Sequence, residues 1–521
     1  MRLSTIHSTL TTFALSLIAI GSGLFWIMQG RPHVYPDAPA GKFACLSYTP
    51  LKVDSNVDSL ATIHAQIERD MEQLSHRSQC VRTYSVLNGL DHVPAVARKL
   101  GMRVLLGIWI GRDPQANEME INAAIATAAE YPDVIDAIVV GNEVLLRREQ
   151  SMETLYAMLQ RVHAATQLPV TYADVWDFWL QNPKLAEATS FISIHILPYW
   201  ENQPIGVEQT MAHVENIYRK MQQTFPGHHI YVGEIGWPSA GRQREGARPS
   251  LVNQARFTRD FIALANEKQI PYNFIEAYDQ TWKKGQEGTV GGYWGLYDAE
   301  GREKFPLTGP VVADAKWWRG PLAGIIAAIA LLLAAPLAMS SRSRTQRIQL
   351  ALAGFSLGCL VVMQWDYLWQ SNRNWQEWLA MCGWTLIGHA VFLLSLFDRQ
   401  TWRPRLTAGL LFALLFCVAY INLGLAFSGR YRDFPSMFLL LPTAMLALNG
   451  LRRSQQGLSG ETVLLSTWLL VSAALIAVNE GGSNGSALLW CGLSALLGGS
   501  LLIARSGLLT RQLSVRQVTH Q

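Results

Sequence analysis

Hydrophobic positions in this 521-residue chain follow two different patterns. Between about residues 43 and 277, short apolar runs of strand length alternate with stretches whose apolar residues recur three and four positions apart. Residues 10–29 and most of 320–505 form long apolar runs instead. The first pattern is that of parallel strands joined by crossover helices. The second is that of helices able to cross about 30 Å of hydrocarbon at about 1.5 Å per residue.

Eight strands are predicted, at FACLSYT (43–49), VRTYSV (81–86), RVLLGIWI (103–110), IDAIVVG (135–141), VTYA (170–173), FISIHIL (191–197), HIYVGE (229–234) and YNFIEA (272–277). Helical patterns lie between them at 57–74, 118–130, 153–166, 208–223 and 253–268. Eight such units in under 300 residues predict an α/β fold, a (β/α)8 TIM barrel, whose chemistry sits at the C-terminal strand ends. An open doubly wound sheet would require a glycine-rich phosphate turn after strand one, where this chain has SYTPLKVDS.

The run 10–29 follows Arg2 and exceeds the apolar region of a cleavable signal, so it is predicted to be a retained signal-anchor helix. Seven further spans are predicted near 321–340, 348–365, 378–397, 406–427, 434–450, 462–479 and 486–504. Arginine placement orients them, because basic residues gather on the cytoplasmic side of short loops. With the N-terminus inside, the cytoplasmic side holds twelve: Arg2, Arg342, Arg344, Arg347, Arg399, Arg403, Arg405, Arg452, Arg453, Arg505, Arg511 and Arg516. The opposite side holds three, Arg373, Arg430 and Arg432. The predicted organisation is a cytoplasmic N-terminus (1–9), an anchor (10–29), an external barrel (30–319), an all-α polytopic bundle of seven helices (320–505) and a cytoplasmic tail (506–521). In a Gram-negative cell this is a multi-pass inner-membrane protein with a periplasmic barrel.

Charge separates the same halves. The first 319 residues carry 29 basic and 33 acidic side chains, whereas the last 202 carry 14 Arg, no Lys and 6 acidic ones. The surplus positive charge lies between apolar runs and forms no basic face, which excludes nucleic acid as a partner, and half the residues are hydrophobic, which excludes a disordered chain. Cys45 and Cys80 are the only thiols of the external domain and are either bridged or buried free; Cys359, Cys382, Cys417 and Cys491 fall in predicted spans as small apolar fillers.

Two carboxylates end strands on opposite sides of the predicted mouth: Glu143 after strand four and Glu234 at the end of strand seven. Such a pair can flank a glycosidic bond, one as nucleophile and the other as acid then base. The apolar strand behind Glu143 predicts a raised pKa, as an acid requires.

The segments VVGNE (139–143) and VGEIGWPSAG (232–241), with IEAYDQTWK (275–283) and YWGLYD (293–298), resemble glycoside hydrolase family 17, the β-1,3-glucan-active (β/α)8 enzymes. The likeness runs through about residues 42–312. It implies Glu234 as nucleophile, Glu143 as acid/base, and Glu276 and Lys283 as holders of the donor sugar. It also implies a membrane-anchored retaining enzyme that cuts or transfers β-1,3-glucan in cell-envelope or exopolysaccharide metabolism. Plant and fungal members place a Glu three residues before the Trp-Gly pair, where this chain has Gly291 and, nearest to it, Glu287. In this respect it looks closer to bacterial members, which often elongate or branch glucan by transfer.

Aromatic rings supply sugar platforms, and the candidates at strand ends are Tyr48, Tyr84, Trp109, Trp176, Tyr199, Trp200, Trp237, Trp282 and Trp294. Asn142 precedes the acid/base, Asp174 and Asp279 could bond sugar hydroxyls, and His195 points into the barrel or toward its mouth. No metal-ligand spacing, Walker loop, Ser-His-Asp arrangement or sugar-nucleotide motif stands out, so no metal or cofactor is expected.

Among the spans only His389 is ionisable well inside, which argues against an ion-coupled pump. The external loop 365–378 is crowded with Trp365, Trp369, Trp375 and Trp378, either as interfacial anchors or, with Asp366, Glu377 and Asp433, as a rim that passes glucan to or from the barrel. Expected partners are β-1,3-glucan or its oligosaccharides, the membrane, and a polysaccharide synthase or export system. The alternative functions are a non-catalytic glucan-binding or glucan-export assembly protein and a transporter with a soluble appendage.

Overall fold

A computed structural model describes residues 2–51, 58–334, 343–397, 404–450 and 459–518. Eight parallel strands close into a barrel: β1 (Leu46–Ser47), β2 (Cys80–Arg82), β3 (Arg103–Ile108), β4 (Ile135–Asn142), β5 (Val170–Val175), β6 (Ile192–Ile196), β7 (Ile230–Ile235) and β8 (Tyr272–Phe274). Closure is made by Leu46, which pairs with Val81 on one side and Phe274 on the other. All eight predicted strands are present, because strands buried on both faces read as apolar runs.

The helices start where side chains satisfy their free N–H groups. Ser59, Ser151 and Ser250 cap Leu60–Ser75, Met152–Ala165 and Leu251–Lys268, and Asp113 caps Pro114–Glu130, which has proline in its first turn. Each then lays one stripe on the barrel; in Leu60–Ser75 the stripe is Ile63, Ile67, Met71 and Leu74. The first residues of the helical pattern 57–74 lie at the edge of the undescribed segment 52–57. Sequence periodicity missed the short helices Val93–Leu100 and Trp176–Gln181.

Every predicted apolar run carries a helix: Arg2–Gln29, Arg319–Ala334, Arg344–Ser371, Trp375–Leu396, Pro404–Ser428, Leu440–Gly450, Gly460–Glu480 and Gly485–Val518. Among the described residues, six of them contain stretches long and apolar enough to cross a membrane, whereas Arg319–Ala334 and Leu440–Gly450 are shorter than that. The N-terminal helix is part of this bundle: Leu15 shares a core with Ala353 and Leu360, and the Trp26 indole donates to the Cys359 carbonyl at 3.2 Å.

The barrel rests on the bundle through loops that follow β6, β7 and β8. Arg242 pairs with Glu480 and donates to the Arg432 carbonyl, Lys284 donates to the carbonyls of Gln370 and Asn372, and Asn484 donates to the Gln243 carbonyl at 2.9 Å. Of the arginines counted to orient the spans, Arg342, Arg399, Arg403, Arg452 and Arg453 lie outside the described residues, and no side chain is described for Arg2, Arg505, Arg511 or Arg516.

Candidate active site

The eight strands direct a polar cluster into the mouth. Glu234, on β7, is 4% exposed; its Oε1 accepts from the Tyr84 hydroxyl at 2.8 Å and from Arg82 Nη1 at 3.3 Å. Glu143 follows β4 with φ of 53°, a left-handed conformation uncommon for a residue with a side chain. Its Oε1 lies 3.0 Å from Nδ1 of His195, on β6, and the same nitrogen is 3.6 Å from Oε2 of Glu234. One oxygen of each carboxylate and a nitrogen of His195 all lie within 4.8 Å of one another.

These three groups could in principle hold a metal ion. The Arg82 guanidinium stands against Glu234 and the His195 imidazole against Glu143.

Burial alone raises the Glu143 pKa, but the hydrogen bond and charge of His195, with Arg147 and Arg82, outweigh it and the net direction is down. This corrects the expectation of a raised value, which considered the apolar strand and not the imidazole opposite.

Deeper in the mouth, Lys283 Nζ donates to Glu276 Oε2 at 2.7 Å, while Glu276 Oε1 is buried without a partner among the described residues. Burial raises the Glu276 pKa, with Lys283 pulling against it. Burial works against the charge of Lys283, but Glu276, Glu287 and Glu234 outweigh it and keep it protonated.

Sequence reasoning passed over Arg82, Ser47 and Asn273. Arg82 is 1% exposed and ties the site together, donating to the Gly233 carbonyl at 2.8 Å and to Asn142 Oδ1 at 2.6 Å besides Glu234. Ser47 bonds the Tyr84 hydroxyl at 2.7 Å, and Asn273 donates to Ser47 Oγ at 2.7 Å and to the Gly233 carbonyl. An arginine inside the strand VRTYSV was the available signal.

Several expected sugar contacts are structural instead. Tyr48 gives its hydroxyl to Asp70, Tyr199 to the Arg242 carbonyl, and the Trp237 indole donates to the Arg248 carbonyl. Those rings and that of Trp294 are buried, with Tyr199 packed edge-on to both Trp237 and Trp294, so they form the floor beneath the mouth. Asp174 is buried, accepting from the Tyr172 hydroxyl and the Val175 N–H. Burial and the charge of Glu143 push it up to about 7. Asp279 uses Oδ1 for both Lys304 Nζ and Gly295 N, each at 2.8 Å, and lines the crevice between barrel and bundle.

Open rings do remain. Trp282 is 57% and Trp109 41% exposed, Trp176 and Trp200 are half-buried, and Trp282 adjoins Lys283. On the membrane side, Trp365 and Trp369 line a crevice of about 1030 Å³ between barrel and bundle. The rim acids have local partners: Asp366 with Arg319, Glu377 with Arg373, and Asp433 with Thr289.

The family described as the BtgE/BtgC glycoside hydrolase domain matches residues 45–295. Among relatives, glucan 1,3-beta-glucosidase of Schizosaccharomyces pombe is 28% identical over 260 residues, 46% of this chain and 79% of that protein. Probable beta-glucosidase btgE of Aspergillus fumigatus is 25% identical over 225 residues, 42% of this chain and 39% of the relative. Among solved structures, a glycoside hydrolase family 17 beta-1,3-glucanosyltransferase from Rhizomucor miehei matches 50% of this chain and 95% of its own, at 23% identity and a TM-score of 0.45.

Proposed function

From a barrel that belongs to the BtgE/BtgC glycoside hydrolases over residues 45–295, we propose that this chain acts on β-1,3-glucan by double displacement with net retention, through a glucosyl ester on Glu234. The carrying observation is the approach of oxygens of the Glu143 and Glu234 carboxylates to within 4.8 Å across the mouth, close to the roughly 5 Å spacing of retaining enzymes and below the roughly 6.5–9.5 Å of inverting ones.

In the first step Glu234 attacks the anomeric carbon, the glycosidic C–O bond breaks, and Glu143 gives a proton to the departing oxygen. Tyr84 and Arg82 hold Oε1 of Glu234, which turns Oε2 toward the sugar. Glu143 Oε1 stands 3.0 Å from His195 Nδ1, which fixes the acid/base carboxyl in the mouth. Arrival of a sugar removes water and favours the neutral carboxyl. In the second step a hydroxyl attacks the same carbon, its proton passes to Glu143, and the ester to Glu234 breaks. Water as acceptor gives hydrolysis and a sugar hydroxyl gives transfer. Lys283, Glu276 and the exposed Trp282 hold the donor sugar.

The chain works as a multi-pass membrane protein with the barrel outside the cytoplasm. The burial of Leu15 and Trp26 among bundle helices supports a retained N-terminal helix. A polysaccharide synthase or exporter is the partner class for such an arrangement.

Incubating the full-length protein with one purified β-1,3-gluco-oligosaccharide, with product masses and anomeric NMR recorded over time, tests the reading. Expected are products whose first-formed anomer is β. Glu234→Gln should lower turnover by at least about 10⁴-fold and Glu143→Gln by at least about 10²-fold. An inverted first anomer, or full activity in either variant, defeats the assignment.

A further inference from the structure

We propose that the bundle loop at residues 429–433 is part of the substrate cleft, its Arg430 and Tyr431 joining Trp200 and Arg244 of the barrel in an outer subsite for a glucosyl residue beyond the scissile bond. The inference rests on the glucan reading above and adds to it a substrate contact made by the membrane half.

Position is the first argument. Trp200 lies five residues beyond His195, on the loop that follows β6, so it stands at the lip above the carboxylates. A second lip, two strands round the barrel, is the loop after β8, where Glu287 feels the charges of Glu276, Glu143 and Glu234 and is followed by Gly288. The bundle loop touches both lips. The Tyr431 ring meets Trp200 edge-on at 5.8 Å, and the Tyr431 carbonyl rests on Gly288 so closely that a β-carbon there would be 2.3 Å from it.

The loop is also held firmly. Arg242 donates to the Arg432 carbonyl and lies 4.5 Å from the Phe434 ring, and Asp433 accepts from Thr289 of the barrel and from Tyr367 of the bundle. A wall fixed from both sides positions its side chains before a ligand arrives, which lowers the entropic cost of binding.

Donor capacity is the third argument. Arg430 is exposed, its guanidinium 5.7 Å from the rings of both Trp200 and Tyr431, and it makes no hydrogen bond or ion pair among the described residues. The Arg244 guanidinium lies 5.3 Å from the Trp200 ring and, among the described residues, gives its hydrogen bond to the Tyr199 carbonyl. Two planar N–H forks beside ring edges match vicinal hydroxyls above the C–H face of a pyranose.

The test uses the full-length chain carrying Glu234→Gln, titrated calorimetrically with β-1,3-gluco-oligosaccharides of increasing length. Affinity should rise with length in this parent. Adding Arg430→Ala or Tyr431→Ala should flatten the rise, weakening the longest ligand about fivefold and the shortest much less, while Arg430→Lys recovers part of the loss. Equal weakening at every length, or none, overturns the subsite. An affinity that collapses with added salt overturns it in favour of an anion site. A parent that binds no oligosaccharide of any length removes the glucan reading itself, whereas length-dependent binding unaltered by the loop variants removes the subsite alone.

Discussion

A β-carbon on residue 291 would stand 2.6 Å from Cβ and 2.9 Å from Oε2 of Glu287, so Gly291 leaves open the space that the Glu287 side chain fills. The carboxylate that plant and fungal family 17 members are expected to project from this position comes here from four residues earlier. It reaches the same charged neighbourhood, beside Lys283 and Glu276. Gly291→Ala should therefore displace Glu287 and raise KM for oligosaccharides by about tenfold, an effect of roughly 1.4 kcal/mol. Glu287→Ala should do the same. Because both act on one side chain, the double variant should be little worse than either single one. Fully additive losses would show that Glu287 does not act through the space at 291.

The same residue sets a pH dependence. Burial pushes the Glu287 carboxyl up to about 7, with Lys283 opposing and Glu276, Glu143 and Glu234 adding to the rise. It is neutral below that pH and gains a negative charge above it. That charge disfavours proton loss from its neighbours, so it holds the acid/base group protonated to higher pH. In Glu287→Gln the charge never forms, and the alkaline limb of kcat/KM should move down by about half a pH unit. A limb that stays in place, or moves up, contradicts this.

How far the sequence anticipates this site depends on which interactions decide it. Glu143 and Glu234 are legible because a parallel strand buried on both faces is an apolar run, and whatever polar residue ends it must lie at the mouth. Arg82 is hidden by the same logic. Inside VRTYSV it reads like any residue at a strand edge, and only closure of the barrel turns it toward Glu234. The aromatic platforms are misjudged for a related reason. Tyr199, Trp237 and Trp294 also stand at strand ends, but whether a ring faces solvent or another ring depends on loops far apart in sequence. Asp174 carries the same ambiguity, settled by Tyr172 and the Val175 N–H. The bundle is legible as apolar helices, whereas its seat on the barrel depends on Arg242 and Glu480, 238 residues apart.

That seat can be tested directly. The Arg242 and Glu480 side chains are 5% and 12% exposed, so Arg242→Ala would leave an enclosed carboxylate whose remaining hydrogen-bond partner among the described residues is Asn484. Removing one partner of a buried pair costs about 3–5 kcal/mol, which should loosen barrel from bundle. Cysteines placed at Gln243 and Ser486, whose side chains lie 3.1 Å apart, report on docking through a short thiol-reactive cross-linker. Cross-linking should fall severalfold in Arg242→Ala and recover in part with Arg242→Lys. An undiminished yield would show that the other contacts, such as Lys284 with Gln370, hold the seat without Arg242.

At the other end of the barrel, Cys45 and Cys80 are joined in a disulfide across β1 and β2, closing a 35-residue loop. Of the two readings open from sequence, bridged or free, the bridge is the one present. Closing a loop of this length restricts the unfolded chain by about 4 kcal/mol on the chain-entropy estimate. Cys45→Ala with Cys80→Ala should thus lower the stability of the barrel by about 2–4 kcal/mol, read as earlier loss of activity in urea. The bridge lies at the N-terminal strand ends, away from Glu143 and Glu234, so kcat/KM without denaturant should stay within about twofold, the change expected when stability is altered far from the reacting groups. Mass spectrometry after alkylation of the unfolded, unreduced protein provides the independent check. Four labelled cysteines are expected, namely Cys359, Cys382, Cys417 and Cys491, and six would mean that the bridge does not form.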